Sequence, residues 1–242
     1  VNGKLHSNFA SKHIYGSHGN HYCNRFCASA IPGETFDFAL EYYAFHTMPG
    51  TQPLTDEAQK SFEYPIGTVE VCTRDELFFE YLFDLKTITS LIGALSEDDF
   101  RRTDAEYALY QIHQKIFYDP DCASDAQFRD ALKETLPILK AQLARKNSET
   151  GAYMGLVGHS HMDTAWLWPL SETVKKCART YANQLNLMEE YPEYTFVQSS
   201  AYHAEVIRRH YPELFARIQQ AVAQGRYEPN GGVWVECDCN IT

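Results

Sequence analysis

Hydrophobic and polar positions along the chain fall into three successive patterns. Over residues 1–72 the apolar residues come in short, aromatic-rich runs. Residues 36–46 alternate in part and are followed by Pro49-Gly50, and residues 62–64 and 68–72 form two more short runs around Pro65 and Gly67. Such runs, broken by Pro and Gly, predict strands, here a β-rich segment resembling part of a β-sandwich. Five histidines lie in this segment: His6, His13, His18, His21 and His46. His18 and His21 flank Gly19-Asn20 in an expected loop and read as solvated side chains rather than a second metal site, because no carboxylate or thiol completes a ligand spacing except the distant Cys23.

Over residues 73–150 the period changes to that of a helix. Leu77, Tyr81, Leu85, Ile88, Ile92 and Leu95 recur at intervals of three and four. So do Ala105, Leu109, Ile112 and Ile116, then Phe128, Leu132, Leu136, Leu139 and Leu143. Three amphipathic helices are predicted. Thr73-Arg74-Asp75-Glu76 has the form of a capping box with Thr73 at the cap. Ser96 and Ser124 are the expected caps of the second and third helices. Pro137 predicts a kink in the third. Nothing here points to chemistry, His113 included, and the block reads as a helical connector.

From residue 151 short apolar runs alternate with longer helical ones. Residues 153–158 predict a buried strand, Leu170 to Met188 a long helix, and residues 194–199 a second strand. Residues 201–209 and 212–224 predict two helices, the latter stopped by Gly225, and residues 231–238 a third strand. Strands alternating with helices imply a parallel sheet with right-handed crossovers. The fold class is therefore α/β. The domains read as 1–72 β-rich, 73–150 connector, and 151–242 the opening part of a β/α-barrel-like domain.

The candidate chemistry sits at the end of the first of these strands, in Gly158-His159-Ser160-His161-Met162-Asp163. Residues two apart on a strand face one side, so His159, His161 and Asp163 are placed to converge. Imidazole with carboxylate suits zinc, with a coordination position left open. In a parallel sheet all strands point one way, so the third strand brings Asp238 to the same edge. The C-terminal edge of such sheets is where chemistry is placed.

Charge and cysteine content narrow the partners. The chain has 21 basic and 32 acidic residues, a formal net charge of -11 and no basic run, which argues against nucleic acid and against an anionic membrane surface. No apolar run approaches membrane-spanning length. The start, Val1-Asn2-Gly3-Lys4, has no apolar signal core, which predicts either a removed leader or missing upstream chain. Seven cysteines, odd in number and irregular in spacing, predict reduced thiols rather than a secreted disulfide framework.

These motifs carry a family resemblance. His161-Met162-Asp163-Thr164-Ala165-Trp166-Leu167-Trp168-Pro169 resembles the metal motif of glycoside hydrolase family 38 α-mannosidases. Gly231-Gly232-Val233-Trp234-Val235-Glu236-Cys237-Asp238-Cys239-Asn240 resembles the nucleophile strand of that family, and the Ala-Trp-Leu-Trp-Pro form is that of its cytosolic or vacuolar branch. The resemblance is dense over residues 155–242. It implies a retaining α-mannosidase that uses one Zn2+ ion. It implies His161, Asp163 and Asp238 as metal ligands, Asp238 as catalytic nucleophile, and Trp166 with Asp163 as substrate-binding residues. His159 maps onto no ligand and is expected to support those that do. The implied fourth ligand, a histidine, and the acid/base aspartate fall downstream of Thr242. The 242 residues are thus expected to be the N-terminal part of a longer enzyme and inactive alone. Cys237 departs from the family, and with Cys239 it is expected on the strand face opposite Asp238. The implied setting is cytoplasmic, or vacuolar in a eukaryote, with an α-mannoside as partner and a homo-oligomer allowed.

Two other readings fit fewer residues. Metal-dependent amidohydrolases also carry His-x-His at a first barrel strand, but the Ala165–Pro169 run and the Trp234-to-Asp238 strand do not suit them. A non-catalytic sugar-binding fragment would hold metal without turnover.

Overall fold

The computed structural model describes residues 1–6, 25–41, 69–116, 124–146, 151–166 and 168–236. The chain divides into two compact units, Ile66–Met154 and a second made of Val1–Pro65 with Gly155–Thr242.

The first unit is built from three helices: α1 (Glu76–Ala94), α2 (Phe100–His113) and α3 (Asp125–Leu143). Their apolar stripes meet in a core of Tyr81, Ile88, Ala105, Ile112, Leu132 and Leu139, with Leu77, Leu85, Leu109 and Phe128 packed around it. A buried hydroxyl pair is satisfied internally: Tyr81 Oη lies 2.8 Å from Thr135 Oγ1, which itself donates to the Ala131 carbonyl. Ser124 caps α3 in a full capping box with Gln127, as its sequence predicts. The other two caps differ from expectation. Asp75, not Thr73, accepts from the Phe78 amide, and Asp99, not Ser96, accepts from the Arg101 amide. A carboxylate at the cap can be held from a second side, which a lone hydroxyl in sequence does not reveal. Asp75 is paired with Arg129 of α3, and Asp99 with Arg101 at 2.5 Å. These partners hold the Asp75 carboxyl below its usual range and bring that of Asp99 down to about 2. Pro137 lies inside α3, which continues through it. The bond that its missing N–H would have made is forgone, and the packing of Leu132 and Leu139 on both sides keeps the helix.

In the second unit the order is β1 (Gly158–His159), α4 (Leu170–Glu190), β2 (Phe196–Gln198), α5 (Ala201–His210), α6 (Pro212–Ala223) and β3 (Tyr227–Pro229). The strands form one parallel sheet in the order β1-β2-β3, with Gly158 opposite Phe196 and Phe196 opposite Tyr227. Its core gathers Cys177, Tyr181, Leu185 and Met188 of α4, Ile207 of α5, Leu214 and Ile218 of α6, and Phe196 and Tyr227 of the sheet. The helix ends follow the sequence. Pro169 and Pro212 stand at helix starts, and Gly225, at φ +69°, takes the left-handed turn after α6. Burial inside this core pushes the Cys177 thiol up to about 12, so it is an inert packing group.

Three strand expectations need correction. The apolar run before His159 is not buried: only Gly158–His159 is strand, and Leu156 is 85% exposed. The run has β2 on one side only; residues 153–157 are exposed, and Gly158 alone is half-buried, against Tyr194. The third strand is Tyr227–Pro229, and of the expected run 231–238 the described residues, 231–236, carry no strand. Pro229 cannot donate to the ladder, and the next donor is Asn230, whose amide reaches the Gln198 carbonyl at 2.9 Å. Gly231, at φ +83°, then turns the chain out of the sheet. Finally, the described residues before 73 carry no strand. Instead Ile31-Pro32-Gly33-Glu34 makes a turn closed by Glu34 N–H to the Ile31 carbonyl, and Phe26 packs edge-on against Phe36 and Phe38. The run at 62–64, residues 42–46 of the first run and residue 68 of the third lie outside the described residues.

Gly158 is closely approached within the sheet. A Cβ there would stand 2.2 Å from Tyr194 Oη and 2.7 Å from its Cζ. Tyr194 is half-buried and donates its hydroxyl to Gln184. Gly158→Ala is therefore expected to destabilise the protein by about 1–3 kcal/mol, the scale of overpacking. Tyr194→Leu in the same chain should recover part of the loss, which urea unfolding of the double-mutant cycle would measure.

Candidate active site

Alternation positions the residues after β1. Met162 turns inward, buried against Cys177 with their sulfurs 3.6 Å apart, so its neighbours His161 and Asp163 turn outward. His161 Nε2 lies 3.3 Å from Asp163 Oδ1. The loop is pinned again one residue on, where Thr164 Oγ1 meets His203 Nε2 at 3.1 Å. His203, on α5, is 1% exposed. Burial pushes its imidazole below the usual range against the opposing pull of Glu236, so it is a neutral anchor. Ala165 follows at φ +129°, a strained value for a residue with a Cβ.

The tryptophans then diverge. Trp168 folds back on α4, donating from Nε1 to Thr173 Oγ1 at 3.1 Å, with the Lys176 ammonium 4.3 Å above its ring. Trp166 stays 56% exposed, edge-on to Trp168. An open indole face of this kind is what a sugar ring can stack on.

The second motif reaches the same place by a different route. Having left the sheet at Gly231, the chain lies across the start of α5. The Ala201 and Tyr202 amides donate to the Val233 and Trp234 carbonyls at 3.1 and 2.8 Å. These are orphan donors of a helix N-terminus, here satisfied by another segment. Ser200, held at φ +75°, adds its hydroxyl to the Trp234 carbonyl at 3.0 Å. This tether carries Glu236 to the first motif. Its Oε1 accepts from Ser199 Oγ, and its Oε2 lies 3.4 Å from His161 Nδ1.

His161 and Asp163 are thus together, His159 is exposed beside them, and Glu236 joins from the second motif. Among the described residues no three His, Cys, Asp or Glu side chains form a complete metal-binding group. Asp238, Cys237 and Cys239 lie outside the described residues. Sequence reasoning had no role for Glu236, Ser199, Ser200 or His203. The only signal was parity: Glu236 is two residues before Asp238 and shares its face in an extended chain.

Comparison with known proteins follows the same stretch. Residues 152–242 match the Glycosyl hydrolases family 38 N-terminal domain. The chain is 34% identical over 196 residues to Alpha-mannosidase 2C1 of Homo sapiens, an alignment covering 79% of this chain and 18% of that protein. It is 40% identical over 102 residues to Alpha-mannosidase G of Dictyostelium discoideum, covering 42% and 9%. With the Alpha-mannosidase of Saccharomyces cerevisiae it shares 41% identity over 86 residues, covering 35% and 8%. The chain therefore spans under a fifth of the length of these relatives. By the match of its motifs and the region around them, the stretch from 152 to 242 belongs to glycosyl hydrolases family 38, in its N-terminal domain.

Proposed function

We propose that this chain is part of a retaining, zinc-assisted α-mannosidase. On this reading, residues 151–242 open a β/α-barrel-like catalytic domain. The observation that carries the reading is the meeting of His161 and Asp163 at the end of β1, with Glu236 beside them from the segment that leads to Asp238. The donor types fit zinc: an imidazole nitrogen and a carboxylate oxygen face each other, half-exposed, on a strand end whose backbone is anchored by Met162 and Thr164. His161, Asp163 and Asp238 would hold the ion. Bound there, zinc would supply positive charge and a template for vicinal sugar hydroxyls.

The chain's own residues divide the remaining work. Asp163 and Trp166 orient the mannose ring, one by its carboxylate and the other by its open indole face. Asp238 attacks the anomeric carbon, forming a glycosyl ester as the bond to the leaving oxygen breaks. A second carboxyl group protonates that oxygen and later deprotonates the water that releases the sugar, so that configuration is retained. No residue of 1–242 is assigned that second role. A cytoplasmic setting suits the free thiols at Cys27, Cys72 and Cys177. Among the described residues no helix is long and apolar enough to cross a membrane.

The test uses the complete reading frame that encodes this chain. The purified protein is expected to hydrolyse an aryl α-mannoside, with α-mannose as the first product. Its zinc content should fall sharply in Asp163→Ala. A protein that leaves the mannoside intact but opens a cyclic amide would be an amidohydrolase, and unchanged zinc in Asp163→Ala would remove the metal assignment.

A further inference from the structure

We infer that Glu236 is a positioning residue for His161, and that Ser199 locks it in that role. The inference rests on the reading above, in which His161 and Asp163 hold zinc. Its basis is that the two carboxylates lie against opposite nitrogens of one imidazole. Asp163 Oδ1 is 3.3 Å from Nε2, and Glu236 Oε2 is 3.4 Å from Nδ1. A neutral imidazole has one N–H and one lone pair. On the reading above, Nε2 lends its lone pair to the metal beside Asp163, so the ring hydrogen belongs on Nδ1, the nitrogen that faces Glu236. A metal held by His161 and Asp163 would then have Glu236 as a support of its histidine rather than as a ligand.

Glu236 is itself fixed from two directions. Its other oxygen accepts from Ser199 Oγ, on the residue directly after β2. Its backbone approach is set by the Val233 and Trp234 carbonyls on the first amides of α5. An ordinary surface ion pair between half-exposed side chains has no such frame and contributes little. A carboxylate that fixes a ligand's tautomer and ring direction also raises its basicity, and removing one weakens metal binding by about 10–100-fold.

The experiment measures zinc affinity by chelator competition, and the number and type of atoms bound to zinc by X-ray absorption, on the protein from the complete reading frame. Glu236→Ala should weaken zinc binding by about 10–100-fold with the number of oxygen and nitrogen neighbours unchanged. Glu236→Gln should lose less, because its amide oxygen can still accept from Nδ1–H. Ser199→Ala should give a smaller loss that Ser199→Thr restores. Zinc affinity unchanged in Glu236→Ala would overturn the inference. So would the loss of one oxygen neighbour, which would make Glu236 a ligand. Asp163→Ala separates the two levels: if it too leaves zinc unchanged, the metal reading has failed, and if it alone removes zinc, only the role of Glu236 has.

Discussion

Asp238→Asn is expected to abolish turnover of an aryl α-mannoside while leaving the protein folded. Asparagine keeps the size of the side chain and one oxygen donor, but its amide cannot form the glycosyl ester. Removing a nucleophile costs on the order of a thousandfold or more in rate, since the rest of the machinery has nothing to act with. Rate alone does not separate attack from metal binding, because the same carboxylate is assigned both. A carboxylate beside a cation stays ionised at neutral pH, which keeps it ready to attack. Held in that direction, it gains from proximity what it loses in nucleophilicity. A fluorinated mannosyl trapping reagent separates the two roles, because it leaves its sugar on the atom that attacks. The label should be found on the peptide containing Asp238. Label on another carboxylate, or inversion of configuration in the product, would reduce Asp238 to a ligand.

What the sequence made legible follows from how local each signal is. The helices were readable because each apolar stripe spans several turns, so a misplaced residue changes little. The stripe through Tyr81 and Ile88 and that through Leu132 and Leu139 meet in one core. Caps were less readable. The choice between Thr73 and Asp75 depends on Arg129, 54 residues from Asp75, and no local pattern contains that partner. The strands were hardest. Gly231-Gly232-Val233-Trp234-Val235 has the composition of a strand, yet its carbonyls are taken by the start of α5, because Pro229 ends the ladder and Gly231 turns away. Composition reports that a segment is extended and apolar, but not which donors it meets.

The site divides in the same way. The meeting of His161 and Asp163 was legible because their spacing is local and the alternation around Met162 holds. Glu236, Ser199 and His203 were missed because each acts through a contact more than 30 residues away in sequence. The family resemblance pointed to the two motifs. What joins them is the corner from Ser199 to His203, which carries a strained Ser200, a buried histidine and two helix-start amides.

That corner depends on β2, and β2 depends on Arg226. Its guanidinium donates to three carbonyls at the end of α4 and the turn beyond: Met188 at 2.8 Å, Tyr191 at 2.6 Å and Tyr194 at 3.0 Å. The last carbonyls of a helix lack intrahelical partners, and the macrodipole there favours a cation. The Arg226 carbonyl meanwhile accepts from Phe196 N–H at 3.0 Å, so one residue ties the α4 end to the first step of the β2–β3 pairing. Arg226→Met keeps the apolar stem and leaves three part-buried carbonyls without their charged donor. At about 1.5 kcal/mol or more for a hydrogen bond to a charged group, and with water recovering part of the loss, the expected destabilisation is about 3 kcal/mol. Arg226→Lys should recover only a fraction, because a single ammonium cannot span three acceptors as a planar fork does. Urea unfolding of both variants decides it, and a midpoint for Arg226→Met equal to that of the parent would mean the three bonds hold nothing in place.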